Sequence, residues 1–202
     1  MDLPLNGKQA RQLCRWLKDN YGNDIVSALN DTPFSVDVAC AIACQETGIY
    51  LYGFLGEMPA DKALGLCVFD ASGDYPGTSR KAFPKNTVAF REAYGDALTN
   101  MLIAEANLCR SARHYPPKDW LYKGYGLFQY DLQNIKSNER FFREKLWYQF
   151  DECLARLKDE LLRKYKATGD VMSAIRGYNG SGSKADQYLE NVKQFIEFSK
   201  EC

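Results

Sequence analysis

Residues 137–165, SNERFFREKLWYQFDECLARLKDELLRKY, form the clearest helical stretch of the chain. Phe142, Leu146, Phe150, Cys153, Leu154, Leu157, Leu161 and Tyr165 recur at helical spacing. The spacing predicts one long helix whose apolar stripe is core. Downstream, Asp170 is placed to cap a short helix ending near Gly177, and a last helix runs from about Ala185 to Phe198. Upstream, Thr87 to Arg113 reads as helix through Ala93, Ala97, Met101, Ala104 and Leu108. Before it, Gly53 to Pro84 is dense in Gly, Pro and aromatics and predicts loops with a short hairpin. Asp37 to Thr47 follows Pro33 and a Ser35 cap, sets Val38, Ile42 and Gln45 on one side and stops at Gly48, a helix terminator. Lys8 to Tyr21 carries Leu13, Trp16, Leu17 and Tyr21 at helical spacing. The fold class is therefore mainly α, with a small loop or β-rich insert at about 50–120.

At 202 residues the chain suits one domain, and 46% hydrophobic residues with 13% aromatics supply a real core. Twenty-six basic and 26 acidic residues balance, so no global field holds nucleic acid or an anionic membrane. No apolar run approaches the roughly 20 residues of a membrane span. The start, Met1-Asp2-Leu3-Pro4-Leu5-Asn6-Gly7, lacks the basic and apolar regions of a signal peptide. Seven cysteines are an odd number, which argues against a complete disulfide framework in a monomer. Cys40 and Cys44 share a helix face, but no CxxC or matching ligand spacing accompanies them. They read as buried thiols, with a disulfide or two left open. Asp70-Ala71-Ser72-Gly73-Asp74-Tyr75 is similar to a calcium loop but has Tyr75 where the sixth position needs Gly, and Lys81 in place of the twelfth-position Glu. No metal and no cofactor are expected. His114, the only histidine, lies in a basic, Pro-flanked stretch and reads as solvated or capping.

Three segments carry chemistry. In Ala41-Ile42-Ala43-Cys44-Gln45-Glu46-Thr47-Gly48-Ile49 a single carboxylate closes an apolar helix. Apolar surroundings disfavour the charged form of a carboxyl, which suits a proton donor near neutral pH. In Tyr122-Lys123-Gly124-Tyr125-Gly126-Leu127-Phe128-Gln129-Tyr130-Asp131, glycines permit tight bends and close ligand approach, Gln129 offers donor and acceptor to an acetamido sugar, and Asp131 adds a second carboxylate. In Ala174-Ile175-Arg176-Gly177-Tyr178-Asn179-Gly180-Ser181-Gly182, followed by Tyr188, an aromatic and an amide beside glycines suit a sugar subsite. Taken singly, each also reads as ordinary structure: a surface Glu, a turn, a glycine-rich helix end.

Their order resembles the goose-type lysozyme and lytic transglycosylase superfamily: Glu-Thr-Gly, then Gly-Tyr-Gly-Leu-Phe-Gln-Tyr-Asp, then Gly-Tyr-Asn-Gly with a downstream Tyr. The resemblance covers the motif regions from about Asp37 to Phe198. It implies a single lysozyme-like catalytic domain over 1–202. It implies Glu46 as general acid and Asp131 as the acid that assists the attacking water. Thr47, Tyr125, Gln129, Tyr178, Asn179 and Tyr188 would then contact substrate. The chain departs from the family in its long Glu46-to-Gln129 spacing and in Gly177 where Ala is usual. Asp119, near the place of a further family acid, matches poorly.

The implied activity is that of a muramidase, a glycosidase that degrades bacterial cell wall. Glu46 protonates the oxygen between N-acetylmuramic acid and N-acetylglucosamine. Water positioned by Asp131 gives inversion, with carboxyls roughly 6.5–9.5 Å apart. Attack by the muramic acid's own 6-hydroxyl instead gives a 1,6-anhydro product. A chitinase and a degenerate glycan- or protein-binding domain are the alternatives. The expected partners are peptidoglycan glycan strands and an immunity or inhibitor protein, the chain being a monomer. Without a signal peptide, an antimicrobial protein of this kind reaches the wall or periplasm by phage lysis or a specialised secretion system.

Overall fold

The computed structural model describes residues 3–71 and 73–202. Met1 and Asp2 of the N-terminal stretch, and Ser72 of the calcium-loop-like segment, lie outside the described residues. The fold is mostly helical with one small antiparallel sheet, as the periodicities predict. The chain forms two compact units. The first comprises the chain up to Met58 and from Leu154 to Cys202; the second is Pro59–Cys153. The second unit thus takes in most of the expected insert and runs on through Gly124 to Asp131.

In the first unit, α1 (Gly7–Leu29) begins with a reciprocal cap: Asn6 accepts from the Gln9 amide, and the Gln9 side chain accepts from Asn6 N–H. The helix runs two turns beyond Tyr21. The centre of the unit is α2 (Val36–Glu46), capped by Ser35, whose side chain accepts from Val38 N–H. Every residue from Val38 to Cys44 is buried, so α2 is a core helix rather than a one-sided one. Its alanines and cysteines are small, which lets neighbours close in on all faces. α2 ends at Glu46. Gly48 does not act as a left-handed terminator; it starts the short helix α3 (Gly48–Leu51). A Cβ there would meet Leu5 Cδ1 at 2.7 Å, so close packing is what Gly48 allows. α7 (Phe150–Thr168) enters this unit from Leu154 onward, and Tyr165 meets Phe34 edge-on. Asp170 caps α8 (Val171–Tyr178) by accepting from Ser173 N–H. α9 (Ser183–Lys200) packs along α2, α1 and α8, burying Tyr188, Val192, Phe195 and Ile196.

In the second unit, the sheet is β1 (Val68–Ala71), β2 (Tyr122–Tyr125) and β3 (Tyr130–Asp131), with β2 central. Val68 pairs with Tyr125, and Tyr125 with Tyr130. The hairpin expected within Gly53 to Pro84 is not local: that segment supplies α4 (Ala60–Gly65) and β1, and β1 finds its partner in β2. α5 (Thr87–Ala112) lies on the sheet and is interrupted at Gly95, which leaves helical backbone at φ 78° and ψ 173°. Its core face is Leu98, Leu102, Ile103, Ala106 and Cys109. Of the face read from sequence, Ala93, Ala97, Ala104 and Leu108 are exposed and Met101 is half-buried. Both faces are apolar enough to satisfy the period, and the sheet covers the one that carries Leu98, Leu102 and Cys109.

The long helix expected over 137–165 is broken. α6 (Glu139–Arg143) stops, Lys145 turns into the left-handed region at φ 55°, Leu146–Tyr148 makes a 3-10 turn, and α7 begins at Phe150. The break lets Phe141, Phe142 and Trp147 gather round Tyr125, with the Tyr125 and Trp147 rings 4.9 Å apart and edge-on. The stripe is buried from Phe142 to Leu161 as expected, but on two helices and a turn.

Candidate active site

Glu46 is the last residue of α2 and is half-buried. It stands where an apolar helix surfaces. Beside it, Gln45 is half-buried with its Oε1 closed off from solvent and accepting no hydrogen bond among the described residues. Thr47 is fully buried and serves as the helix cap: its hydroxyl donates to Ala43 O at 3.3 Å. That hydroxyl is committed to backbone, which leaves no role in touching substrate in this conformation.

α9 brings Tyr188 to Glu46. Tyr188 is 4% exposed, and among the described residues its hydroxyl has Glu46 as its polar neighbour without a hydrogen bond of strict geometry. Burial pushes its pKa well above the phenol range; the charge of Glu46 and then Tyr178 push it further. Tyr178, half-buried at the end of α8, stacks its ring on Tyr188 at 6.5 Å with planes 24° apart. Asn179 follows as the exposed C-cap of α8. Of the residues nominated from sequence, Glu46, Tyr178 and Tyr188 therefore meet. α2, α8 and α9 carry one each, so segments far apart in the chain form one corner of the first unit.

The other nominated residues lie in the second unit. Tyr125 is fully buried in the aromatic cluster, and burial raises its pKa well above the phenol range. Its ring is core and does not face a ligand. Gly126 needs its glycine: it sits at φ 76°, and a Cβ would meet Cys153 Sγ at 2.6 Å. Gln129 takes a left-handed backbone at φ 54° to close the β2–β3 turn. Its amide donates to Cys67 O and Gly126 O, both at 3.0 Å, so it braces the turn.

Asp131 ends β3 and caps the 3-10 turn Leu132–Lys136, accepting from Gln133 N–H at 2.7 Å. Both its oxygens are held by Arg80: Nη2 to Oδ1 at 2.5 Å and Nη1 to Oδ2 at 3.1 Å. Arg80 is itself tied to Phe83 O and only 12% exposed. A two-point, largely buried grip of this kind is strong and specific. Sequence reasoning missed Arg80, because a lone arginine in a Gly/Pro loop looks like any surface cation. It also missed Glu105, 4% exposed, which accepts from Tyr148 at 2.6 Å and pairs with Lys145 at 2.5 Å. Burial and Glu105 raise the Tyr148 pKa.

Among the described residues, no group of three His, Cys, Asp or Glu side chains is arranged to hold a metal ion, and no helix is long and apolar enough to cross a membrane. No family model, curated protein or solved structure matches the chain.

Proposed function

We propose that the chain is a lysozyme-like, wall-cutting glycosidase in which Glu46 donates the proton to the glycosidic oxygen. The observation that carries this reading is the corner of Glu46, Tyr178 and Tyr188. A half-buried carboxylate at the mouth of an apolar helix can hold and deliver a proton, and the half-buried Tyr178 ring, backed by buried Tyr188, offers stacking area to a sugar ring. The motif order of the goose-type superfamily supports the same residue.

Glu46→Gln keeps the side chain's shape and removes the exchangeable acid. We expect release of soluble fragments from purified peptidoglycan by the wild type, and loss of at least ~100-fold of it in Glu46→Gln at unchanged unfolding midpoint. Retained activity in the variant overturns the assignment, and no release by the wild type overturns the wall-cutting reading. Chitin oligomers in parallel separate a chitinase from a muramidase.

A second form of the reading is favoured by Arg80. With both oxygens of Asp131 engaged, a water-activating base is less free, and the muramic acid's own 6-hydroxyl becomes the better nucleophile. Glu46 would then act as acid and base in turn, giving the 1,6-anhydro sugar. The expected substrate is peptidoglycan glycan strands, at the bacterial wall or periplasm. An immunity or inhibitor protein would act by covering the Glu46 corner.

A further inference from the structure

The most concentrated reactive chemistry outside the Glu46 corner is a knot of thiols inside the first unit. Cys14 on α1 meets Cys44 on α2 with sulfurs 3.6 Å apart, and both are fully buried. Cys40 lies one turn back on α2, also fully buried, and acts on the same Cys14 sulfur. The cluster has none of the arrangement that would hold a metal ion. Around it lies a polar girdle: Lys18 pairs with Asp37 at 2.8 Å, Ser199 donates to Asp37 at 2.7 Å, and Lys18 donates to Ser199 O at 2.6 Å. Cys202 sits at its edge, partly exposed, its sulfur on Arg11 O one turn along α1 from Cys14.

We propose that Cys14 and Cys44 are a redox pair that an external disulfide oxidises, with Cys202 as the gateway thiol. Cys14 is the nucleophilic member. Its sulfur is the one that both α2 thiols act on: Cys44 lies 3.6 Å away, and hydrogen bonding from Cys40 and then Cys44 lowers its pKa. Oxidised glutathione exchanges first with Cys202, forming a mixed disulfide and releasing one glutathione thiol. Cys14 gives up its proton, attacks the Cys202 sulfur and expels the second glutathione thiol. Cys44 gives up its proton and attacks the Cys14 sulfur, which returns Cys202 as a thiol. Two protein thiols are oxidised and one external disulfide is reduced to two thiols. The final bond requires the two sulfurs to close by roughly 1.5 Å. It would pin α1 to α2 two residues before Glu46, and it stands whether or not the chain cuts glycan.

The test is native full-length protein incubated with oxidised glutathione, then denatured, alkylated, digested and mapped by mass spectrometry. We expect a Cys14–Cys44 cross-linked peptide pair with Cys40 alkylated, and a melting temperature raised by roughly 5–10 °C that dithiothreitol reverses. Full alkylation of all seven cysteines, or a Cys14–Cys40 link in its place, overturns the pair. Cys202→Ser should reach the same cross-link at least ~10-fold more slowly. Oxidation at the wild-type rate overturns the gateway role of Cys202.

Discussion

At the scale of single residues, the charges that matter most to stability are those drawn into the interior. Asp37 is the clearest case. Burial opposes its ionisation, but hydrogen bonds from Lys18 and Ser199 and the Lys18 charge outweigh it, so its carboxyl ionises below the ordinary 3.8. A carboxylate with a depressed pKa contributes stability above its unfolded value and loses it as pH falls through the folded one. Lys18 is shifted up from 10.5, its desolvation outweighed by Asp37, so its share is present below 10.5 and lost as pH rises through its folded pKa. The expected profile is a plateau between about pH 4 and pH 10 that falls off on both sides. Asp37→Asn should flatten the acid arm and cost about 1–3 kcal/mol at neutral pH, because Lys18 loses its charged partner and keeps only a neutral acceptor. Urea unfolding from pH 2 to 8 measures both; an acid arm unchanged in the variant contradicts the assignment. Glycine carries the opposite kind of constraint. Gly126→Ala forces a Cβ into Cys153 and a side chain into left-handed backbone, so a loss of about 2–4 kcal/mol is expected in the same assay.

At the scale of elements, α2 explains both what was readable and what was not. Its Ser35 cap and its apolar run were legible because capping and composition are local, and its end was read one residue late, at Thr47. That it is buried on every side was not, since α1 and α9 supply the covering faces from distant segments. Ile42, fully buried at its centre, tests this: Ile42→Ala should cost about 2–5 kcal/mol in urea unfolding, and a cost under 1 would mean that α2 is not the core helix. The break at Lys145 was illegible for a related reason. No Gly or Pro marks it, and the stripe from Phe142 to Leu161 keeps its period across it. What selects the break is an aromatic cluster closed by Tyr125 from another strand, a contact that periodicity does not encode. The partner of β1 was hidden likewise, because strand pairing over some fifty residues leaves no local mark. That Glu46, Tyr178 and Tyr188 lie together follows the motif order, whereas the Arg80–Asp131 and Lys145–Glu105 pairs join distant segments and leave no local mark.

At the scale of the whole molecule, the two carboxylates nominated for catalysis belong to different units, Glu46 to the first and Asp131 to the second. A hydrolase in which Asp131 activates water needs both carboxylates; a transglycosylase needs Glu46 alone. Asp131→Asn distinguishes them, since Asn still accepts from Gln133 N–H and preserves the 3-10 cap while giving up the ion pair with Arg80. If Asp131 activates water, the variant should lose about 10²–10⁴ in peptidoglycan turnover, and the wild-type products should be hydrated sugars. If Asp131 only anchors Arg80, turnover should stay within about threefold after correction for folded fraction, the products should be lighter by one water, and the unfolding free energy should drop by about 1–3 kcal/mol as Arg80 loses its partner. The geometry favours the second outcome. A carboxylate held at both oxygens by a buried guanidinium, and capping a turn besides, has little of its acceptor capacity left for a water. A large activity loss with hydrated products would show that substrate binding frees Asp131 from Arg80, and would restore the two-acid mechanism.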